Sequence, residues 1–253
     1  MEMVLLTALG VGGATIFGAV LGFLFKNPSH KFNDVILSFA AGVMLAAAVV
    51  GLLLPSLEYG NGKLAILVTI VGLFCGALCL NLIDKLVPHL HKITGLDQEA
   101  HPEKTAKLNK VLLFVIAIAI HNLPEGIAAG VSFGTENTSQ ALIVAGGIAL
   151  QNIPEGMVII APMIAAGMKK RRTFIIALMT GVVEVVGTLS GYFAVSISTV
   201  ILPFALAFAG GTMLYVVSDE MIPETHAHGN ERSATYALLV GFAVMFAFDF
   251  FLG

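Results

Sequence analysis

Charge is what this sequence has least of. Asp, Glu, Lys and Arg make up 11% of its 253 residues, against roughly 25% in an ordinary soluble domain. That scarcity excludes a conventional water-soluble fold. The 13 Lys and Arg are outnumbered by 16 acids and form no basic face, which excludes nucleic acid as a partner. No basic segment precedes the first apolar run, which starts almost at Met1 beside Glu2. That run is expected to be a retained first span and not a cleaved signal peptide. There is no His-Glu-x-x-His string and no recognisable Ser/His/Asp set, so the usual signatures of a zinc hydrolase or a nucleophilic enzyme are missing. Cysteine is limited to Cys75 and Cys79, four apart in one apolar run. On a helix they share a face, and they are expected to be small buried hydrophobes, not a metal or redox pair.

Hydrocarbon is what the chain has instead: 57% of its residues are hydrophobic and its mean hydropathy is +0.94. Eight apolar stretches, at about 3–25, 35–56, 64–84, 111–131, 140–165, 173–197, 199–218 and 234–252, approach the roughly 20 residues that span a bilayer as a helix. They predict an all-α integral membrane protein of eight transmembrane helices, a single transmembrane domain over 1–253. Asn27-Pro28-Ser29, Tyr59-Gly60-Asn61-Gly62 and Gly134-Thr135-Glu136-Asn137 punctuate the spans, and the longest loop covers roughly 86–110. The basic residues support the count. Twelve of the 13 fall in or beside alternate loops: Lys26 and Lys31, then Lys85 to Lys110, then Lys169 to Arg172, then Arg232; Lys63 is the exception. Cytoplasmic loops carry the Lys and Arg excess. The expected arrangement is therefore a multi-pass protein of the cell membrane with both termini on the non-cytoplasmic side.

Two near copies of one string lie 30 positions apart inside this hydrocarbon: His121-Asn122-Leu123-Pro124-Glu125-Gly126 and Gln151-Asn152-Ile153-Pro154-Glu155-Gly156. Intramembrane carboxylates are costly and functional by default, and neither stretch holds a Lys or Arg to neutralise them. The missing positive charge points to a cation that is not part of the protein. His121, Gln151 and Glu184 each lie 11 residues inside their span, or roughly 16 Å at 1.5 Å per residue, close to half of a core about 30 Å thick. His121 and Glu125 are i and i+4, and Asn122 and Glu125 are i and i+3, so each pair shares a helix face; Gln151, Asn152 and Glu155 repeat the pattern. A glutamate common to two overlapping pairs suits two adjacent ions. Pro124 and Pro154 each remove a helical N–H and disturb the bond to Ile120 or Leu150, which is tolerated at membrane depth beside a polar cavity. Gly126 and Gly156 permit close helix approach. Taken alone, Glu184 reads as much as a proton relay or an interhelical hydrogen-bonding group as it does as a metal ligand. One imidazole among several oxygen ligands suits Zn²⁺, Fe²⁺, Mn²⁺ or Cd²⁺ better than Cu⁺. The metal is the bound substrate, and no catalytic cofactor is expected. The rival readings are a membrane-embedded metal-dependent hydrolase, a passive metal channel and a proton-coupled exporter.

At these residues the chain resembles the ZIP (Zrt/Irt-like) divalent metal transporters, particularly the bacterial members, over all eight spans. The resemblance implies an inverted-repeat ZIP-like bundle, a homodimer, and uptake of zinc, with iron, manganese and cadmium as further substrates, into the cytoplasm. It implies a binuclear centre between spans four, five and six. His121, Glu125, Gln151 and Glu155 would form one metal site, and Asn122, Glu125, Asn152, Glu155 and Glu184 the other. Spans one, four, five and six would move against the rest. Many relatives carry His where Gln151 stands, and Ala46, Ala47, Ala48 and Gly51 are apolar where the family often has a polar residue.

Further His and acidic groups gather near the ends of spans three and seven: Asp84, His89 and His91, then Asp219, Glu220, Glu224, His226 and His228. All are expected on the cytoplasmic side, either as an exit or regulatory metal site or as a solvated loop rim. Asp249 reads as an interfacial residue. Met44 and Met213 read as packing, with Met44 also a candidate to line the pathway.

Overall fold

The computed structural model describes residues 1–25, 28–86, 119–135 and 137–252. These residues form eight helical segments and no strand: α1 (Glu2–Gly22), α2 (His30–Glu58), α3 (Gly62–Ile83), α4 (119–132), α5 (Thr138–Ala165), α6 (Lys170–Ile197), α7 (Leu202–Thr225) and α8 (Glu231–Leu252). All but α4 are long and apolar enough to cross a bilayer. The fold is therefore the expected all-α membrane bundle. Residues 111–118 of the fourth predicted span lie outside the described residues, as do His89, His91 and nearly all of the 86–110 loop. The Asp84 side chain lies outside them too.

The helix starts are encoded locally. Ser29 Oγ accepts the Phe32 amide at 3.2 Å ahead of α2, and Asn137 Oδ1 accepts the Gln140 amide at 3.2 Å ahead of α5. Each satisfies one of the orphan donors of a helix N-terminus. Neither motif proline ends its helix: α4 runs through Pro124, and α5 runs through Pro154 to a break at Ile159 before resuming at Ile160.

Small residues dictate which helices touch. α1 packs on α5 and α6, and α4 packs on α6 through Gly126, Gly130, Gly187 and Gly191; α2 packs on α8, and α3 on α7. Two groups result, α1–α4–α5–α6 and α2–α3–α7–α8, joined chiefly where α2 meets α5. Without a hydrophobic driving force between helices in lipid, such close backbone contacts carry much of the association.

The seventh span differs from expectation in an instructive way. The apolar pattern stops near residue 218, yet α7 continues to Thr225 through a π-helical turn at Val217–Met221. Asp219 and Glu220 are therefore inside a helix and not in a loop after it. The same device occurs in α2, where a π-helical turn at Ala47–Leu53 precedes Pro55 as Val217–Met221 precedes Pro223. The two helices are antiparallel: Asp34 near the start of α2 meets His228 just past the end of α7, and Ser56 near the end of α2 donates to the Pro203 carbonyl at the start of α7. Apolar patterning misses this extension because it stops at the first polar residues, whereas the π-turn carries the helical hydrogen bonding through exposed Ser218 and Asp219 to half-buried Glu220.

Cys75 also departs from expectation. It is exposed, and Cys79 is half-buried, both as free thiols. Only 22% of the α3 span is buried inside the bundle, so the outer face of α3 is apolar surface fit for lipid. Met44 and Met213 are fully buried in the main core, as expected of packing residues.

Candidate metal centre

Each motif ends in a glycine that sits against the backbone of another helix. A Cβ added at Gly126 would land on the Glu184 carbonyl of α6, and one added at Gly156 would land on the Thr15 carbonyl of α1. The motif glycines thus bring in α6 and α1, which supply Glu184 and a hydroxyl that sequence reading missed. Thr15 lies among apolar and glycine residues of α1, and its Oγ1 donates to Glu184 Oε1 at 2.6 Å.

Glu184 is the knot of the site. Besides Thr15 it accepts a short hydrogen bond from Asn122 Nδ2 and a 2.7 Å bond from Asn152 Nδ2. Asn152 Nδ2 also reaches the Val11 carbonyl of α1 at 3.3 Å, and Asn122 Nδ2 the Thr180 carbonyl of α6 at 3.5 Å. Both amide nitrogens are therefore engaged. Both amide oxygens, the atoms of an amide that can bind a cation, are buried without a hydrogen bond.

The remaining motif groups show the same pattern more strongly. Glu125 is 1% exposed, and neither carboxylate oxygen has a hydrogen bond. Gln151 lies beside Glu125 but outside hydrogen-bond geometry, leaving both of its polar atoms buried and unbonded. Glu125 is within electrostatic reach of Glu155 and Glu184, and Glu155 of His121. More than nine-tenths of buried polar groups in native proteins have a partner. Six orphaned atoms on four neighbouring side chains, five oxygens and one amide nitrogen, form a hole in the hydrogen bonding where positive charge belongs. Among the described residues no three His, Cys, Asp or Glu side chains already converge on one point as a metal cage. The donors here are half amide, and Glu184 is tied to its neighbours. A cation would draw the free oxygens together.

Of the residues expected at a cytoplasmic exit, Glu220 sits elsewhere. The α7 π-turn carries Glu220 Oε1 to 2.8 Å from His121 Nε2, so it meets the first motif directly. His226 has both ring nitrogens on protein oxygens: Nδ1 near the Ile222 carbonyl at 2.9 Å and Thr225 Oγ1 at 3.1 Å, Nε2 near Thr235 Oγ1 at 3.1 Å. His228 pairs with Asp34. Asp249 accepts Gln140 Nε2 at 3.1 Å, tying the end of α8 to the start of α5.

Comparison with known proteins agrees with this architecture. The family model described as ZIP zinc transporter matches residues 94–249. Zinc transporter GufA of Myxococcus xanthus is 40% identical over 254 residues, spanning 98% of both chains. Zinc transporter ZIPB of Bordetella bronchiseptica is 39% identical across 95% of this chain and 78% of its own. Zinc transporter ZupT of Chlorobaculum parvum is 34% identical across 92% of this chain and 91% of its own.

Proposed function

Because the chain belongs to the ZIP zinc transporter family and is a multi-pass membrane transporter, not an enzyme, we propose that it carries Zn²⁺ into the cytoplasm through a two-metal site at mid-depth. The observation that carries this reading is the Glu125 carboxylate, buried with two unbonded oxygens among unbonded amide oxygens. Placing His121, Glu125, Gln151 and Glu155 on one ion, and Asn122, Asn152, Glu125, Glu155 and Glu184 on the other, uses every one of those atoms that can ligate. Cd²⁺, Fe²⁺ and Mn²⁺ suit the same imidazole and oxygen set. The protein lies as one transmembrane domain in the cell membrane with both termini outside the cytoplasm, the side opposite twelve of the 13 basic residues. The largely exposed apolar faces of α3 and α8 are surfaces open to lipid or to a second copy in a homodimer.

Glu220 gives the site a way out. It holds His121 from the α2–α3–α7–α8 group, so it competes with the first ion for the imidazole and is the first acid that ion meets beyond the motif. Replacing Glu220 with Gln is expected to slow zinc flux several-fold while zinc occupancy of the solubilised protein is unchanged. Equal flux in the variant rejects the handover. Replacing Glu184 with Ala removes the acceptor that orients both asparagines. It is expected to release one of the two zinc equivalents and to reduce flux without abolishing it. Complete loss of flux would show that the two ions are not separable.

The test of the whole reading is zinc flux into proteoliposomes loaded with a metal-sensing dye. Saturable influx above that of empty liposomes is the expected result. Zinc bound without flux would replace a transporter by a sensor.

A further inference from the structure

We propose a second, exchangeable transition-metal site at the end of the bundle where α2 begins and α7 ends, with His30 and His228 as its ligands and Asp34 as the carboxylate that orients His228. Asp34 is 3% exposed, and both of its oxygens are used: Oδ1 lies 3.0 Å from His228 Nδ1, and Oδ2 accepts Asn230 Nδ2 at 2.9 Å. A carboxylate takes a proton donor, so Nδ1 carries the hydrogen and Nε2 of the neutral ring holds the lone pair. That is the carboxylate–histidine relay found behind metal-binding imidazoles, which fixes the tautomer and raises ligand basicity. Among the described residues, no hydrogen bond engages Nε2 of His228 or either nitrogen of His30. Exposed His228 thus presents an oriented nitrogen at the surface.

The second imidazole is already in place. The His30 and His228 ring centres are 4.8 Å apart and their planes differ by 25°. With Zn–N near 2.0 Å and the ring centre about 1 Å beyond its nitrogen, two imidazoles on one tetrahedral ion have centres about 5 Å apart. The observed spacing matches that value, and the stacked rings must turn for both nitrogens to face one ion. His30 and Asp34 are i and i+4 on the first turns of α2, which puts ligand and orienting carboxylate on one helix face. His228 comes from the loop that Gly229 turns at φ +78°, where a side chain would be strained. His226, two residues earlier, has both nitrogens engaged and is not a ligand.

Two protein ligands leave the other positions to water, so the ion class is a borderline divalent cation that accepts imidazole: Zn²⁺, Ni²⁺ or Cu²⁺. An open site of this kind exchanges quickly. It is separate from the orphaned oxygens of the motifs and draws its protein ligands from the start of α2 and the loop after α7.

The experiment uses the full chain in detergent, with Glu125→Gln and Glu155→Gln to silence the midplane, titrated with Zn²⁺ against a chromophoric chelator. The remaining zinc affinity is expected to fall at least about tenfold in His30→Ala and in His228→Ala, and about 10–100-fold in Asp34→Asn, the usual cost of losing such a carboxylate. His30 is exposed, so its variant tests binding without burdening the fold, and nitrogen resonances of labelled histidines should report His30 and His228 as the groups that shift. Unchanged zinc affinity in His30→Ala and His228→Ala overturns the site. Failure of zinc transport in proteoliposomes, with this binding intact, overturns the transport reading alone.

Discussion

Glu125→Gln is expected to reduce zinc flux in proteoliposomes to the level of empty vesicles, a loss of at least about 100-fold. In the same variant the metal-free protein is expected to melt at the same temperature or higher. Both follow from one observation, a carboxylate that is 1% exposed and has no hydrogen bond on either oxygen. An acid at the bilayer centre costs roughly 2.5–3.5 kcal/mol even on scales that allow relaxation, and a buried carboxyl without a hydrogen bond carries the desolvation cost of its polar atoms. Gln keeps the shape and cannot ionise, so the empty protein loses nothing by the change. What it cannot do is neutralise a divalent ion shared between two sites. Ligand at 100 times its Kd adds about 2.7 kcal/mol to stability. Wild type should therefore gain melting temperature on adding zinc, and Glu125→Gln should gain much less. If the variant still transports, or still shows the full zinc-induced shift, Glu125 is not a shared ligand and the two-metal arrangement fails.

How much of this was legible beforehand depends on which physical signal each residue leaves in the sequence. The spans were readable because length and hydropathy are local, and the doubled motif was readable because four of its six residues, Asn, Pro, Glu and Gly, repeat in place where lipid disfavours them. The glycines of the motifs were expected to allow close approach, and the structure identifies what approaches: the Glu184 and Thr15 backbones. Thr15 itself was not legible. A single threonine in an apolar helix is common, because its hydroxyl can bond back to its own helix, and nothing local reveals that it faces Glu184 169 residues away. Glu220 was misplaced because hydropathy ends a span where charges begin, whereas the π-turn keeps α7 helical through Ser218, Asp219 and Glu220. His228 was noticed as one of several histidines. Its pairing with Asp34 joins positions 194 apart, a proximity that only the antiparallel packing of α2 and α7 creates.

Gly156→Ala is expected to be strongly damaging, while Gly13→Ala on α1 is neutral or slightly stabilising. Gly13 has nothing within 4 Å of an added Cβ, so the substitution removes only the backbone freedom that disfavours glycine in a helix. At Gly156 the added carbon would strike the Thr15 carbonyl and lie 2.9 Å from the Ala19 nitrogen. These are backbone atoms and cannot swing aside. The contact is also reciprocal, because a Cβ at Gly18 of α1 would strike the Ile153 carbonyl of α5. Relief requires α1 and α5 to separate by about an ångström along their whole contact, and overpacking of this kind costs about 1–3 kcal/mol or more. The separation draws Thr15 Oγ1 away from Glu184 Oε1, now at 2.6 Å, and loosens the Asn152 bond to the Val11 carbonyl. A melting temperature several degrees lower, with weaker zinc binding, is the expected outcome in the purified protein. Equal stability of Gly156→Ala and Gly13→Ala would mean that the two helices do not touch as described. The glycine that ends each motif would then need another explanation than the one the packing supplies: the close approach at Gly126 and Gly156 lets α6 and α1 reach the groups that hold the motif asparagines in place.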